Sequence, residues 1–348
     1  MTRLDSLHIR RHEENLIHIL VIGGTRNLGL SIIETLGQRS HAITVFNRGV
    51  TPCVLPTGIE RLYGDRGSKA DLEKVLGSRN FDAVIDTTLY TGAEALTAID
   101  VLKGRTGHFV FISTGQVYLI REGVTPPCPE EDYEGKVMPA PPKEDESAYA
   151  NWAYGFHKRE AEDHLFRAWN EHGFPVTSLR APMINGERDH YERILNYLRR
   201  MQDGGPILIP DDRNLPCRHV YAEDIARIVV DVIEPGKGRG RAYNLSQNET
   251  VSLEEILGMI AEMAGAKLTL CRIPRARLTE LQLLPDCSPF SGRWMSELDN
   301  TRSRTELGVR YTPLREYLQK IVSHYKNNPQ LQPAGYRTRA IELQLASG

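Results

Sequence analysis

Short apolar runs and longer amphipathic stretches alternate along the first half of the chain. Strand-like runs lie at 17–22, 42–46, 61–63, 83–85, 108–113 and 176–180. Between them, near 28–36, 70–76, 93–102 and 153–171, apolar residues recur at helical spacing. This alternation predicts an α/β fold: a doubly wound parallel sheet whose right-handed crossovers place helices on both faces. After Pro182 the rhythm loosens. Helical spacing near 191–201, 222–233, 253–263 and 314–325 is joined by short strands at 207–209, 242–245 and 267–270. The pattern predicts a sheet domain over 17–182, to which some later segments return, and a smaller C-terminal α/β substrate lobe over 183–326.

Three stretches break the pattern. Residues 1–16 are charged and read as a polar extension. Residues 121–145 are acidic and carry Pro126, Pro127, Pro129, Pro139, Pro141 and Pro142, a long loop of the kind that serves function or moves. Residues 327–348 are polar, carry Pro329 and Pro333, and are expected to be a flexible tail. No internal repeat is visible.

Composition narrows the function classes. The 348 residues are 40% hydrophobic and 25% charged, with a net charge of −2. That balance gives no basic field for nucleic acid or an anionic membrane surface. No apolar run approaches the roughly 18 residues of a membrane helix, and 1–16 lacks an apolar signal core. A cytoplasmic protein is the expectation. The five cysteines are odd in number and none sits at CxxC spacing, so neither a disulfide framework nor a metal site is expected.

Candidate chemistry begins at Gly23-Gly24-Thr25-Arg26-Asn27-Leu28-Gly29, where an apolar run enters a glycine turn and an amphipathic stretch follows. Strand, tight turn and helix in that order aim backbone N–H groups and a helix N-terminus at one point, which suits a pyrophosphate. The second strand ends in Asn47-Arg48, where an acid would hold a ribose 2′-hydroxyl. An amide and a cation there, with Arg26 in the loop, favour a 2′-phosphate and hence NADP(H), with NAD(H) the alternative. If they do not, Arg48 is a solvated loop cation and Arg26 a helix-start residue. Gly64-Asp65 is either an adenine contact or plain turn chemistry. Ser113 and Thr114 end the fifth strand on the side where ligands of such sheets bind. Tyr154 and Lys158 are four apart on a helix and share a face. A nearby ammonium would lower the phenol pKa, and with the Thr114 hydroxyl the three would make a proton relay beside a hydride donor. The bland alternative is a surface helix pair.

With these residues the chain resembles the extended short-chain dehydrogenase/reductase family, the sugar-nucleotide epimerase and dehydratase group, over roughly 17–325. The resemblance includes Leu179-Arg180-Ala181-Pro182, Arg218-His219-Val220-Tyr221-Ala222-Glu223-Asp224 and Tyr243-Asn244-Leu245-Ser246. It implies a Rossmann-type fold with Thr114, Tyr154 and Lys158 as catalytic residues. It also implies cofactor contacts from Gly23, Thr25, Arg26, Asn27, Leu28, Gly29, Asn47, Arg48, Asp65, Thr87, Ser113, Tyr154, Lys158 and Pro182. Arg26 replaces the middle glycine of the family loop. That form is similar to an atypical branch that includes chloroplast stem-loop RNA-binding proteins. Where 4,6-dehydratases carry an acidic pair, this chain has Gly115 and Gln116, and a neutral amide serves neither as acid nor as base. Dehydration is therefore disfavoured. Met183 and Asn185 replace the family's Asn and Tyr, which alters the substrate contacts.

Candidate substrate residues are Gln116, Met183, Asn185, Arg188 and Arg218. Arg193 reads as a charged helix face, Arg199-Arg200 as a solvated pair, and His157 as a helix-surface residue. Trp152 either walls the pocket or packs the helix start. His190 and His219 receive no role. The expected activity is an NADP(H)-dependent oxidoreductase acting on a carbonyl or alcohol of a small or nucleotide-linked substrate. An epimerase with tightly held cofactor is the alternative, and an RNA-binding protein on the same scaffold is the reading of another class. The expected partners are a small-molecule substrate and, by family analogy, a second copy in a homodimer; no membrane is expected, and nucleic acid is disfavoured by the charge.

Overall fold

The computed structural model describes residues 16–39, 41–212 and 216–347; the predicted polar extension, apart from Leu16, lies outside them. The first half runs β1 (His18–Ile22), α1 (Asn27–Gly37), β2 (Ala42–Asn47), β3 (Glu60–Tyr63), α2 (Lys69–Leu76), β4 (Ala83–Asp86), α3 (Gly92–Leu102), β5 (Phe109–Thr114), α4 (Gln116–Leu119), α5 (Glu146–His172) and β6 (Val176–Ala181). The second half runs β7 (Ile184–Asn185), α6 (Arg193–Gln202), β8 (Ile207–Pro210), β9 (Pro216–Cys217), β10 (Val220–Tyr221), α7 (Ala222–Ile233), β11 (Arg241–Asn244), β12 (Val251–Ser252), α8 (Leu253–Ala264), β13 (Leu270–Ile273), α9 (Arg275–Glu280), α10 (Thr301–Glu306), α11 (Leu314–Asn327) and α12 (Arg339–Ser347).

Seven strands form the central sheet in the order β11-β6-β5-β4-β1-β2-β3. Every neighbouring pair is parallel. This is the predicted Rossmann-type architecture. β4, β5 and β6 are buried along their whole length, which explains their near-continuous apolar sequence. Ile19, Val21, Ile33 and Val229 belong to one apolar cluster, and Leu20, Phe46, Phe109 and Leu165 to another. Alternate side chains of a strand point to opposite faces, so one sheet feeds both. Strand order reverses about β1, between β2 and β4, and leaves a crevice beyond the carboxyl ends of these strands. From the second half, β11 joins the sheet beside β6 and α7 packs on α1. A separate core, with Leu198, Ile256, Leu257 and Leu318, joins α6, α8 and α11.

Two predictions are corrected here. Residues 327–348 do not run free where they are described: a helical turn at Ala334–Thr338 leads into α12. Arg199 and Arg200 are not solvated. Arg200 is fully buried and holds the fully buried carboxylate of Glu342 in a two-pronged ion pair, with Nε at 2.8 Å and Nη2 at 2.6 Å. Arg199 donates to the carbonyls of Asn328, Pro329 and Leu331. The segment looks polar because its charge is spent on α6, a pairing that local pattern cannot reveal. The proline-rich stretch is also laid down against its surroundings. The Tyr133 ring lies 3.7 Å under the Arg159 guanidinium, and Glu130 accepts the Asn244 N–H at 2.7 Å.

Candidate active site

A cleft of about 870 Å³ occupies the crevice at the carboxyl ends of β1, β2, β4 and β5 and continues under the C-terminal lobe. That volume suits a small-molecule ligand. Its floor is the glycine turn. Gly23 has φ +95°, and a Cβ there would come within 2.4 Å of Thr87 Oγ1. A Cβ on Gly29 would lie 2.6 Å from the Gly24 Cα, so α1 approaches the turn as closely as only glycine permits. Arg26, the residue before α1, makes no side-chain cap to the helix. The first-turn N–H groups of this helix of eleven residues therefore lack a side-chain cap at the cleft, the arrangement that receives an anion.

The predicted cofactor residues divide into liners and struts. Thr25, Arg26, Asn27, Leu28, Arg48, Asp65 and Pro182 line the cleft. Arg26 Nε donates to Thr51 Oγ1 at 3.1 Å, which brings it to the loop that carries Arg48. Asn47 and Thr87 also line it, but their polar atoms brace the turn. Asn47 Nδ2 donates to the Gly23 carbonyl at 3.2 Å, and its Oδ1 accepts from Gly49 and Arg61. Thr87 Oγ1 donates to the Ile22 carbonyl at 2.9 Å and accepts the Gly24 N–H at 3.3 Å. Asp65 Oδ1 accepts the Gly67 N–H at 2.9 Å, so the turn chemistry is present whatever else its carboxylate does. Ser113 also lines the cleft, but its hydroxyl is engaged elsewhere, donating at 2.5 Å to Glu162, which is bound to Arg180. Being next to Thr114 on a strand, its side chain turns to the other face.

Thr114, Tyr154 and Lys158 meet in the cleft. Tyr154 is 38% exposed, with its ring 6.3 Å from that of Tyr90. Desolvation of its hydroxyl raises its pKa, Tyr90 adds to the rise, and a hydrogen bond with Thr114 opposes it. The expected lowering of this phenol by Lys158 is not seen. The buried Lys158 ammonium donates to the carbonyls of Leu89 at 2.6 Å and Ile112 at 2.9 Å. Burial pulls its pKa down to about 7, against the favourable charges of Asp86, Glu162 and Glu94. The Asp86 carboxylate is fully buried and paired with Arg66 at 2.8 Å.

Of the candidate substrate residues, Gln116, Met183 and Arg218 line the cleft. Arg188 and Asn185 are corrections. Arg188 turns to the outer surface and pairs with Glu34 of α1 at 2.6 Å. Asn185 is buried and faces His219 Nδ1 at 3.1 Å. Arg193, read as a surface residue, lines the cleft and pairs with Asp189 at 3.0 Å. Trp152 packs the helix start, donating to the Met138 carbonyl and stacking on Phe156. His157 pairs with Glu160 on the helix surface, as expected. Sequence reasoning missed Asn151, Trp294, Met295 and Ser296, all cleft residues. Asn151 lies three residues before Tyr154 on α5, a spacing that could have flagged it; the other three come from a segment without periodicity.

The model of the family described as NAD dependent epimerase/dehydratase matches residues 19–246. The chain belongs to the NAD-dependent epimerase/dehydratase family. The expected enzyme class, a nicotinamide-dependent enzyme of the short-chain dehydrogenase/reductase type, follows from that membership. A 2′-dehydrokanamycin reductase from Streptomyces kanamyceticus is 21% identical over 273 residues, 77% of this chain and 73% of that protein. The chloroplast stem-loop binding protein of 41 kDa b from Arabidopsis thaliana is 23% identical over 71% of this chain and 63% of its own length. The UDP-glucose 4-epimerase of Thermotoga maritima, solved with UDP-glucose, superposes with a TM-score of 0.71 over 90% of this chain and all of that one, at 19% identity. At that identity the likeness speaks for the fold. The family's glycine loop, Thr114, Tyr154 and Lys158 all fall inside the matched region.

Proposed function

We propose that this family member is an NADP(H)-dependent oxidoreductase that reduces a ketone, or oxidises the corresponding alcohol, on a small hydroxylated substrate. One observation carries the reading. A single cleft joins the glycine turn, Arg26 and Arg48 at one end to Thr114 and Tyr154 at the other. The residues fit a dinucleotide: the Gly23 and Gly29 positions exclude side chains, and the N-terminus of α1 is uncapped. When bound, the nicotinamide supplies or takes the hydride at the substrate carbon. Tyr154 delivers the proton to the substrate oxygen, and Thr114 hydrogen-bonds that oxygen. Lys158, released from Leu89 and Ile112, stabilises the Tyr154 phenolate and holds the cofactor ribose. Arg26 and Arg48 take the 2′-phosphate; Asp65 is at hand for the adenine. Gln116 is uncharged, so water elimination is not part of the reaction.

The name of the Streptomyces kanamyceticus relative supports a reductase of a ketone on an aminosugar-like ring. The same residues would serve an epimerase, which oxidises and re-reduces its substrate without net turnover of cofactor. The name of the Arabidopsis thaliana relative keeps RNA in view, although the net charge of −2 offers nothing for phosphate backbones. Among the described residues no helix is long and apolar enough to cross a membrane. Action in the cytoplasm as a homodimer belongs to the same proposal. The experiment is a cofactor titration followed by turnover with candidate ketones. Tighter binding of NADPH than NADH and stoichiometric NADPH consumption support the reading. Equal affinity overturns the NADP assignment, catalytic cofactor overturns the reductase in favour of the epimerase, and salt-dependent RNA retention without dinucleotide binding overturns both.

A further inference from the structure

Two pairs of adjacent residues enclose the Lys158 ammonium. Leu89 gives it a carbonyl at 2.6 Å, and its neighbour Tyr90 a ring whose centre lies 4.8 Å from Nζ. Ile112 gives it a carbonyl at 2.9 Å, and its neighbour Phe111 a ring centre at 4.7 Å. Both rings lie within the roughly 6 Å at which a ring face attracts a cation. The rings differ in what else they do. Phe111 is fully buried and belongs to the apolar core of the sheet. Tyr90 is half-exposed, lines the cleft and stands outside that core.

The backbone that presents Tyr90 is held in place. Tyr90 immediately precedes Thr91, the cap of α3, and the Glu94 carboxylate accepts the N–H groups of both, at 2.7 and 2.9 Å. That capping box fixes where the chain enters the helix. From there the ring also meets Tyr154, centre to centre at 6.3 Å and tilted by 50°. Tyr90 therefore touches both the lysine and the phenol of the relay.

The charge of Lys158 is finely balanced. Burial brings its pKa to about 7. Asp86 at the end of β4, Glu94 on α3 and Glu162 on its own helix favour the ammonium, and Arg66 from the turn after β3 opposes it. Desolvation raises the Tyr90 and Tyr154 phenols, so both are neutral near pH 7. A neutral ring still attracts a cation through its quadrupole, more strongly where water is excluded. With the balance this close, one ring face changes how much of the lysine is charged.

We propose that Tyr90 is a positioning residue of the proton relay: its ring face holds the Lys158 ammonium and packs beside Tyr154, so that the lysine enters the reaction charged. This deepens the oxidoreductase reading and rests on it for the use made of that charge. The contact uses the ring and not the hydroxyl, so phenylalanine can replace it and an aliphatic side chain cannot.

The test is NMR titration of the full chain labelled with ¹³C at the lysine Cε, from about pH 5.5 to about pH 9. The Lys158 signal is the one missing from Lys158→Met. Tyr90→Phe leaves its midpoint within about 0.2 pH units of wild type, and Tyr90→Leu lowers it by about 0.4–0.7 pH units. A ring that merely covered the ammonium would act in the opposite sense, since its removal admits water and raises the midpoint. Circular dichroism checks folding, and if Tyr90→Leu does not fold, Tyr90→Met is titrated in its place. A midpoint that rises or stays put in the aliphatic variant, or that falls as far in Tyr90→Phe, overturns the proposal. NADPH binding is followed in parallel by fluorescence. A wild-type protein that does not bind NADPH but shows the lowered midpoint in Tyr90→Leu overturns the oxidoreductase reading alone; NADPH binding with an unmoved midpoint overturns this proposal alone.

Discussion

Glu342→Ala should undock the C-terminal helix. The Glu342 carboxylate and the Arg200 guanidinium are both fully buried and meet through bonds of 2.8 and 2.6 Å. Removing one member of a buried pair leaves an uncompensated charge and costs about 3–5 kcal/mol. Arg200 would keep some partners, since Nη1 donates to Asn196 Oδ1 at 2.9 Å and Nη2 to the Gly335 carbonyl at 2.9 Å. The lower end, about 3 kcal/mol, is therefore the expected cost. Hydrogen exchange along α12 reads it directly: amide protection should fall by about two decades. The double change Arg200→Met with Glu342→Leu removes both charges and should cost less than Glu342→Ala alone. Burial pushes the Glu342 carboxyl up, but its hydrogen bonds to Arg200 prevail and hold it below the ordinary 4.5. The stabilisation is thus fully present above 4.5 and fades as the pH falls through the lowered value. Unchanged α12 exchange in Glu342→Ala, or a double variant worse than the single one, would show that the buried pair does not hold α12 in place.

Other expectations follow from the cleft. Tyr154→Phe removes the proton donor and should cut turnover by about 10²–10⁴-fold while leaving NADPH affinity within about twofold; unimpaired turnover contradicts the assignment. Arg48→Asp should lower the NADP/NAD affinity ratio at least about tenfold, measured by paired titrations; an unmoved ratio contradicts the 2′-phosphate role. Burial holds Lys158 at about 7, so from there upward the unfolded chain binds more protons than the folded one. Wild type should gain stability between pH 7 and about 8.5 that Lys158→Met does not, and parallel urea curves for the two would count against it. Gly29→Ala drives a Cβ to 2.6 Å from backbone at Gly24 and should cost about 1–3 kcal/mol and weaken dinucleotide binding; a wild-type unfolding midpoint argues against that close approach.

The central sheet was legible because each of its strands is locally consistent: apolar, short and followed by a turn or helix signal. The glycine turn, Thr114, Tyr154 and Lys158 were legible for the same reason, since a strand end and one helix place them. What pattern could not show were the long-range partners. Arg188 and Arg193 both looked available, yet Glu34 takes the first and Asp189 holds the second inside the cleft. The tail looked polar and free, yet its Glu342 carboxylate answers Arg200 and its Leu331 carbonyl accepts from Arg199, both far away in sequence. Asn47 and Thr87 were expected to be cofactor contacts, and only their hydrogen bonds reveal them as braces of the turn. Lys158 was expected to act on Tyr154 directly; the carbonyls that hold it come from Leu89 and Ile112, on two other segments.

On this reading the cleft seats a dinucleotide with its reactive end beside Tyr154. A crystal structure of the protein grown with NADP⁺ tests it most directly. The pyrophosphate is expected at the N-terminus of α1, the 2′-phosphate between Arg26 and Arg48, and the nicotinamide next to Tyr154 and Thr114. A saturated crystal with an empty cleft, or a dinucleotide bound with its nicotinamide away from Tyr154, would contradict it.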